Sequence, residues 1–143
     1  MAVYSEITPV RRIAGVCTHG ADLLGELAAV CGEEGIRFGR VEAIGAVQRA
    51  VIGYYDQGTH QHREVTVPRP LELVSLVGNV SLHEGRVVLH AHVALADNRG
   101  HAWGGHLRSG TLVCSVEFGI EVWEGPPFER REDPRTGLTS WRL

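Results

Sequence analysis

Three histidines carry the chemistry this chain offers most plainly. His90 and His92 stand two residues apart in Leu89-His90-Ala91-His92-Val93, and His106 follows in Gly104-Gly105-His106-Leu107. Neutral imidazoles bind divalent transition metals, zinc at about 2.0–2.1 Å, and three of them leave a fourth coordination position for water or a ligand. Residues i and i+2 of a strand project to the same side, so one extended segment presents His90 and His92 together.

Register decides whether His106 joins them. Asp97-Asn98-Arg99-Gly100-His101 has the form of a three-residue hairpin loop, a type I turn followed by a left-handed residue, here Gly100. If residues 97 and 101 close that loop, His92 faces His106, Leu95 faces Trp103, Val93 faces Gly105 and Ala91 faces Leu107. The apolar face then stays apolar across the hairpin, which supports the register independently of the histidines. Gly104, Gly105, Ala94 and Ala96 leave room around such a site.

Other residues with chemical potential are weaker. His60 and His62 share the two-residue spacing but lie in a polar Gln-rich stretch beside Gly58, and read as surface. His19, His83 and His101 read as loop histidines. Glu117 interrupts an otherwise apolar strand and Glu72 opens an apolar run; either would orient a ligand imidazole or act as a general base. Cys17, Cys31 and Cys114 are far apart and form no CxxC pair, so buried reduced thiols are expected.

The elements that must position the histidines come from periodicity. A helix is expected from about Asp22 to Glu34, with Asp22 as its cap, Leu23, Leu27, Val30 and Cys31 on one face, and a left-handed Gly35 at its end. Residues 41–47 and 50–55 read as two β segments with a possible bulge at a glycine, residues 57–60 as a turn, and 63–67 as a short strand ended by Pro68 and Pro70. The near-continuous apolar run 71–80 reads as a strand buried on both faces. Residues 87–96 alternate cleanly, with Val87, Leu89, Ala91, Val93 and Leu95 on one side. Residues 111–122 also alternate, with Leu112, Cys114, Val116, Phe118, Ile120 and Val122 on one face. Residues 1–15 form an edge strand or stay loose. Beyond Gly125 comes a charged tail in which Leu138 and Trp141 would anchor on the body or on a neighbouring subunit.

Composition sets the bounds. At 143 residues with 43% hydrophobic and 22% charged residues, the chain is a single domain, 1–143, with no case for disorder. All 14 basic residues are arginine, which reads as genomic composition bias. The formal net charge of −3 argues against a generally basic nucleic-acid face. No segment approaches the ~20 apolar residues needed to span a bilayer, and the N-terminus lacks a signal-peptide core, so a cytoplasmic protein is expected.

With these residues in hand, the chain resembles the plant and prokaryote conserved (PPC) domain family over roughly residues 14–124. The motifs are Gly20-Ala21-Asp22-Leu23, Ala43-Ile44-Gly45-Ala46-Val47, Leu71 to Val80, and Leu89-His90-Ala91-His92-Val93, with Gly104-Gly105-His106-Leu107 and Glu117 following in the family's order. The resemblance implies an α+β fold with a largely antiparallel sheet flanked by helices, assembled as a homotrimer. It also implies a zinc ion, or another divalent transition metal, held by His90, His92 and His106. A distant likeness to acetolactate decarboxylase makes an enzymatic role conceivable. The family's association with DNA belongs to members with AT-hooks, and this chain has neither an Arg-Gly-Arg-Pro hook nor a basic arm beyond Arg11-Arg12.

Three functions follow: a trimeric metal-binding domain with a small-molecule ligand or regulatory role, a zinc-dependent enzyme on a small carboxylate or polar substrate with Glu117 or Glu72 as proton carrier, and a DNA-associated protein that works through partners.

Overall fold

The computed structural model describes residues 1–126 and 128–143. Asp22 begins the one helix among them, α1 (Leu23–Glu33), by accepting the Gly25 backbone N–H on Oδ1 at 2.8 Å. This satisfies a donor the helix leaves free at its first turn. Leu23, Leu27 and Cys31 fall on one face and are fully buried, and Gly35 ends the element at φ 64°. The helix is as the sequence prescribes, less one residue at each end.

The rest is one nine-stranded sheet: β1 (Thr8–Val16), β2 (Gly39–Asp56), β3 (Gln61–Val67), β4 (Leu71–His83), β5 (Arg86–Ala96), β6 (Ala102–Leu107), β7 (Leu112–Glu124), β8 (Glu129–Asp133) and β9 (Leu138–Arg142). Every pairing is antiparallel except the single contact between β4 and β8. The fold is α+β and a single domain, but one helix covers the sheet where helices in the plural were expected.

β2 organises the sheet. Residues 41–47 and 50–55 are one continuous 18-residue strand rather than two. Its first part lies between β7 and β4, and its second part between β3 and β6. Because β4 pairs β5 and β5 pairs β6, the ladder runs from β2 round to β2 again, and the sheet curls tightly. Val41, Ile52, Leu73, Leu76, Val80, Val93 and Leu95 fill the enclosed side with the buried face of α1. That clustering of apolar area supplies most of the driving force for the fold.

Two strand expectations are corrected by this arrangement. β4 is not buried on both faces: Leu71, Leu73 and Leu76 are buried while Glu72, Val74 and Val77 are exposed. With a single helix, only one face of this part of the sheet is covered. In β7 the alternation breaks at a register shift opposite Ala46 and Val47, so Val113 is fully buried and Cys114 turns outward. The bulge exchanges the two neighbours between faces, and Cys114 is therefore not a buried thiol. Cys17 and Cys31 are buried, and burial pushes both thiols up to about 11, with the Glu26 carboxylate adding to the rise at Cys17.

Candidate metal centre

The hairpin that carries the histidines has the register its loop requires. Gly100 takes φ 79°, the Gly100 N–H donates to the Asp97 carbonyl at 3.0 Å, and the Asp97 N–H donates to the His101 carbonyl at 3.0 Å. Asp97 Oδ1 accepts from the Arg99 and His101 N–H groups at 2.8 and 2.9 Å, locking the loop. From that fixed end His92 faces His106, Val93 faces Gly105 and Leu95 faces Trp103. The β5–β6 ladder ends at the histidine pair. Beyond that pair, on the other edge of β6, Leu107 faces Ile52 of β2 and His106 faces Gly53.

The three imidazoles converge. Their ligand-capable nitrogens all lie within 4.8 Å of one another. The ring centroids are 5.2 Å apart for His90 and His92, 5.1 Å for His90 and His106, and 4.3 Å for His92 and His106. His90 Nε2 lies 3.1 Å from His106 Nδ1. His90 and His106 are half-buried and His92 is exposed, so the cluster is held from below and open above. Burial first, then the Arg130 guanidinium and the neighbouring imidazoles, push His90 down to about 4. Burial, then His92 and Arg108, push His106 down to about 4. Both rings are therefore neutral at physiological pH, the form in which imidazole binds a metal.

Sequence reasoning missed two arginines beside these rings. Arg130 comes from β8, in what read as a charged tail. It is 6% exposed, and its guanidinium donates to Ser81 Oγ (2.8 Å), Asn79 Oδ1 (2.5 Å) and the Thr139 carbonyl (3.2 Å), with Nη2 3.4 Å from His90 Nδ1. The tail is a hairpin, β8–β9, anchored on its own chain: Phe128 stacks on Phe38 at 3.9 Å, and Trp141 meets both edge-on at 6.0 and 5.0 Å. Trp141 was expected to anchor the tail and does so on the body of its own chain, but its partners Phe38 and Phe128 are seen only in the fold. Arg108 lies over Gly53, where a Cβ would approach its Nε to 2.6 Å, and its Nη2 is 3.0 Å from His62 Nδ1. His62 is exposed, as its surface reading requires, yet its ring stands 6.2 Å from that of His106.

The remaining residues singled out in the sequence lie elsewhere. Glu72 faces Ala96, four residues along β5 from His92, about 13 Å away at the usual strand rise. Glu117 faces Ile44 on β2, with β4 between it and β5, about 14 Å at the usual strand spacing. Both side chains are exposed on the sheet. His60 lies at the β2–β3 turn with φ 54°. His19 Nδ1 is 2.8 Å from the Cys114 carbonyl, His101 Nδ1 is 3.2 Å from Asp97 Oδ2, and His83, at the end of β4 rather than in a loop, has Nδ1 3.0 Å from the Arg130 carbonyl.

The fold and the cluster define a small curled-sheet domain with a three-histidine centre able to hold a metal. The sequence profile of the Plants and Prokaryotes Conserved (PCC) domain matches residues 4–124, and the chain belongs to that family. A metal-containing protein of Archaeoglobus fulgidus is 34% identical, with 99% of this chain and 100% of that one covered at a TM-score of 0.94. A plant- and prokaryote-conserved protein of Pyrococcus horikoshii is 30% identical, covering 99% and 98% at a TM-score of 0.92. The bifunctional protein GlmU of Synechococcus sp. (strain JA-2-3B'a(2-13)) is 34% identical over 122 residues, 82% of this chain, which spans only 18% of that relative's length.

Proposed function

We propose that the chain binds zinc, or another divalent transition metal, through His90, His92 and His106 as a subunit of a homotrimer, and that the metal offers its open position to a small-molecule ligand in a binding or regulatory role. The carrying observation is the convergence of three ligand nitrogens within 4.8 Å on two hydrogen-bonded strands. The neutrality of His90 and His106 supports it, as does the metal-containing character of the Archaeoglobus relative. The two flanking arginines oppose a bare cation, and an anionic fourth ligand would offset that. When bound, the metal would supply Lewis acidity. The chain's own residues hold the imidazoles in place and, through Arg130, keep His90 packed.

The trimer reading rests on the sheet face that α1 leaves bare. Val16, Ile44, Val74 and Val77 are 69%, 58%, 56% and 47% exposed there, interleaved with Glu42 and Glu117, which face Val77 and Ile44 across the strands, and exposed apolar side chains among polar ones in this way mark an association surface. We place the protein in the cytoplasm, where its three free cysteines stay reduced; no helix among the described residues is long and apolar enough to cross a membrane. An enzymatic role would need a proton carrier, and Glu72 and Glu117 would reach the centre only if a neighbouring copy supplied them. DNA association has no support in the charge balance.

Zinc titration of the metal-free protein tests the site, with saturation expected at one ion per chain; heat of dilution alone would overturn it. Light scattering tests the assembly. Three times the 15.6 kDa chain mass is expected for the wild type, with a shift to monomer for Ile44→Glu, and a monomeric wild type would refute the trimer.

A further inference from the structure

The cavity beside the three histidines has a charge character that names its ligand class. A space of about 310 Å³ opens between β5, β6 and the β8–β9 hairpin, lined by His62, His90, His106, Arg108, Arg130 and Thr139 among others, and no acidic residue among the described residues lines it. The two arginines play different parts. Arg130 has its guanidinium filled by Ser81, Asn79 and the Thr139 carbonyl, so its charge is fixed in place while its donors are largely spent. Arg108 is only partly used. Its Nη2 meets His62, its Nε is buried with no hydrogen-bond partner, and its one carboxylate partner, the exposed Glu64, forms only a loose ion pair with that Nε at 3.7 Å, too far for a hydrogen bond. A buried guanidinium donor without an acceptor is costly to leave unmade, and a carboxylate or phosphate oxygen is what its planar fork fits.

From this we infer that the cavity binds a small organic anion, a carboxylate or a phosphate, with Arg108 as its direct charged contact and Arg130 as a fixed positive charge behind His90. The inference deepens the metal reading, since an anion bound there would lie against the metal's open position, but Arg108 and the acid-free lining stand without any metal. The profile of the family stops at residue 124, whereas Arg130 and Thr139 come from the hairpin beyond it. One wall of this cavity thus belongs to the C-terminal segment.

Inorganic phosphate and malonate serve as probes of the two anion types. Each is titrated into the cobalt-loaded protein, followed by visible absorption, and into the metal-free protein, followed by melting temperature. A saturable change with at least one anion is expected, weakened about tenfold or more in Arg108→Gln, the loss of one charge-assisted contact. Cobalt stoichiometry should stay the same in that variant. If cobalt loads at one per chain but neither anion produces a saturable change, or if Arg108→Gln binds as the wild type does, the anion inference falls and the metal reading stands. If no cobalt loads while phosphate or malonate still raises the melting temperature in an Arg108-dependent way, the metal reading falls and the anion site stands.

Discussion

Zinc uptake at mildly acidic pH should release few protons, because two of the three ligand imidazoles are already neutral. An ordinary histidine, near 6.5, is about nine-tenths protonated at pH 5.5 and must shed that proton to bind a metal. Two such residues would release about 1.8 protons per zinc, and three about 2.7. Here burial, with Arg130 beside His90 and with His92 and Arg108 beside His106, holds both rings near 4. At pH 5.5 each is then only about 3% protonated, and the pair releases under about 0.1 proton. His92 adds one at most, so the total is about 1.1 or less. Calorimetric zinc titrations at that pH in two buffers of different ionisation heat give the number directly. Release of about two protons or more would refute the reasoning, because at least one of His90 and His106 would then carry its proton as an ordinary imidazole does.

The same shifts fix a sign for stability. The metal-free folded protein holds His90 and His106 near 4 while the unfolded chain titrates near 6.5, so stability is fully present above about pH 6.5 and is lost as pH falls toward 4. Urea midpoints should therefore drop steadily across that window, and a flat profile would contradict it. Arg130→Met leaves Asn79 Oδ1, Ser81 Oγ and the Thr139 carbonyl without their donor. It should cost about 3 kcal/mol in denaturant unfolding and move the NMR-observed His90 titration upward. Gly100→Ala places a Cβ at φ 79° in the loop that sets the histidine register and should cost about 1–2 kcal/mol by the same assay, with no change in metal stoichiometry.

The centre was legible in the sequence because its information is local. A turn residue that must be left-handed, Gly100, fixes the loop, the loop fixes the register, and a period-two alternation settles which side chains share a face. Asp22 and Gly35 mark the helix by equally local chemistry. What escaped depends on long-range pairing. The continuity of β2 through Gln48 and Arg49 is set by which strands flank it. The outward turn of Cys114 comes from a bulge against β2, and the exposure of Val74 and Val77 from the absence of a second covering layer. Arg130 sat in a run of mixed charges, Glu129 to Asp133, with no apolar periodicity. Only the docking of Phe128 and Trp141 on Phe38 carries it to His90. Arg108, next to a recognised motif, had no visible role until Gly53 and His62 were seen on either side of it.

The central claim is that three histidines of one hairpin hold a metal, and His92 is the residue on which to test it. Its side chain is exposed, so His92→Ala removes a ligand without opening the core. Elemental analysis of the purified protein should find about one transition-metal ion per chain in the wild type, and a small fraction of that in a His92→Ala variant that melts like the metal-free wild type. A folded wild-type protein without stoichiometric metal, or a variant that keeps its full complement, would contradict the account.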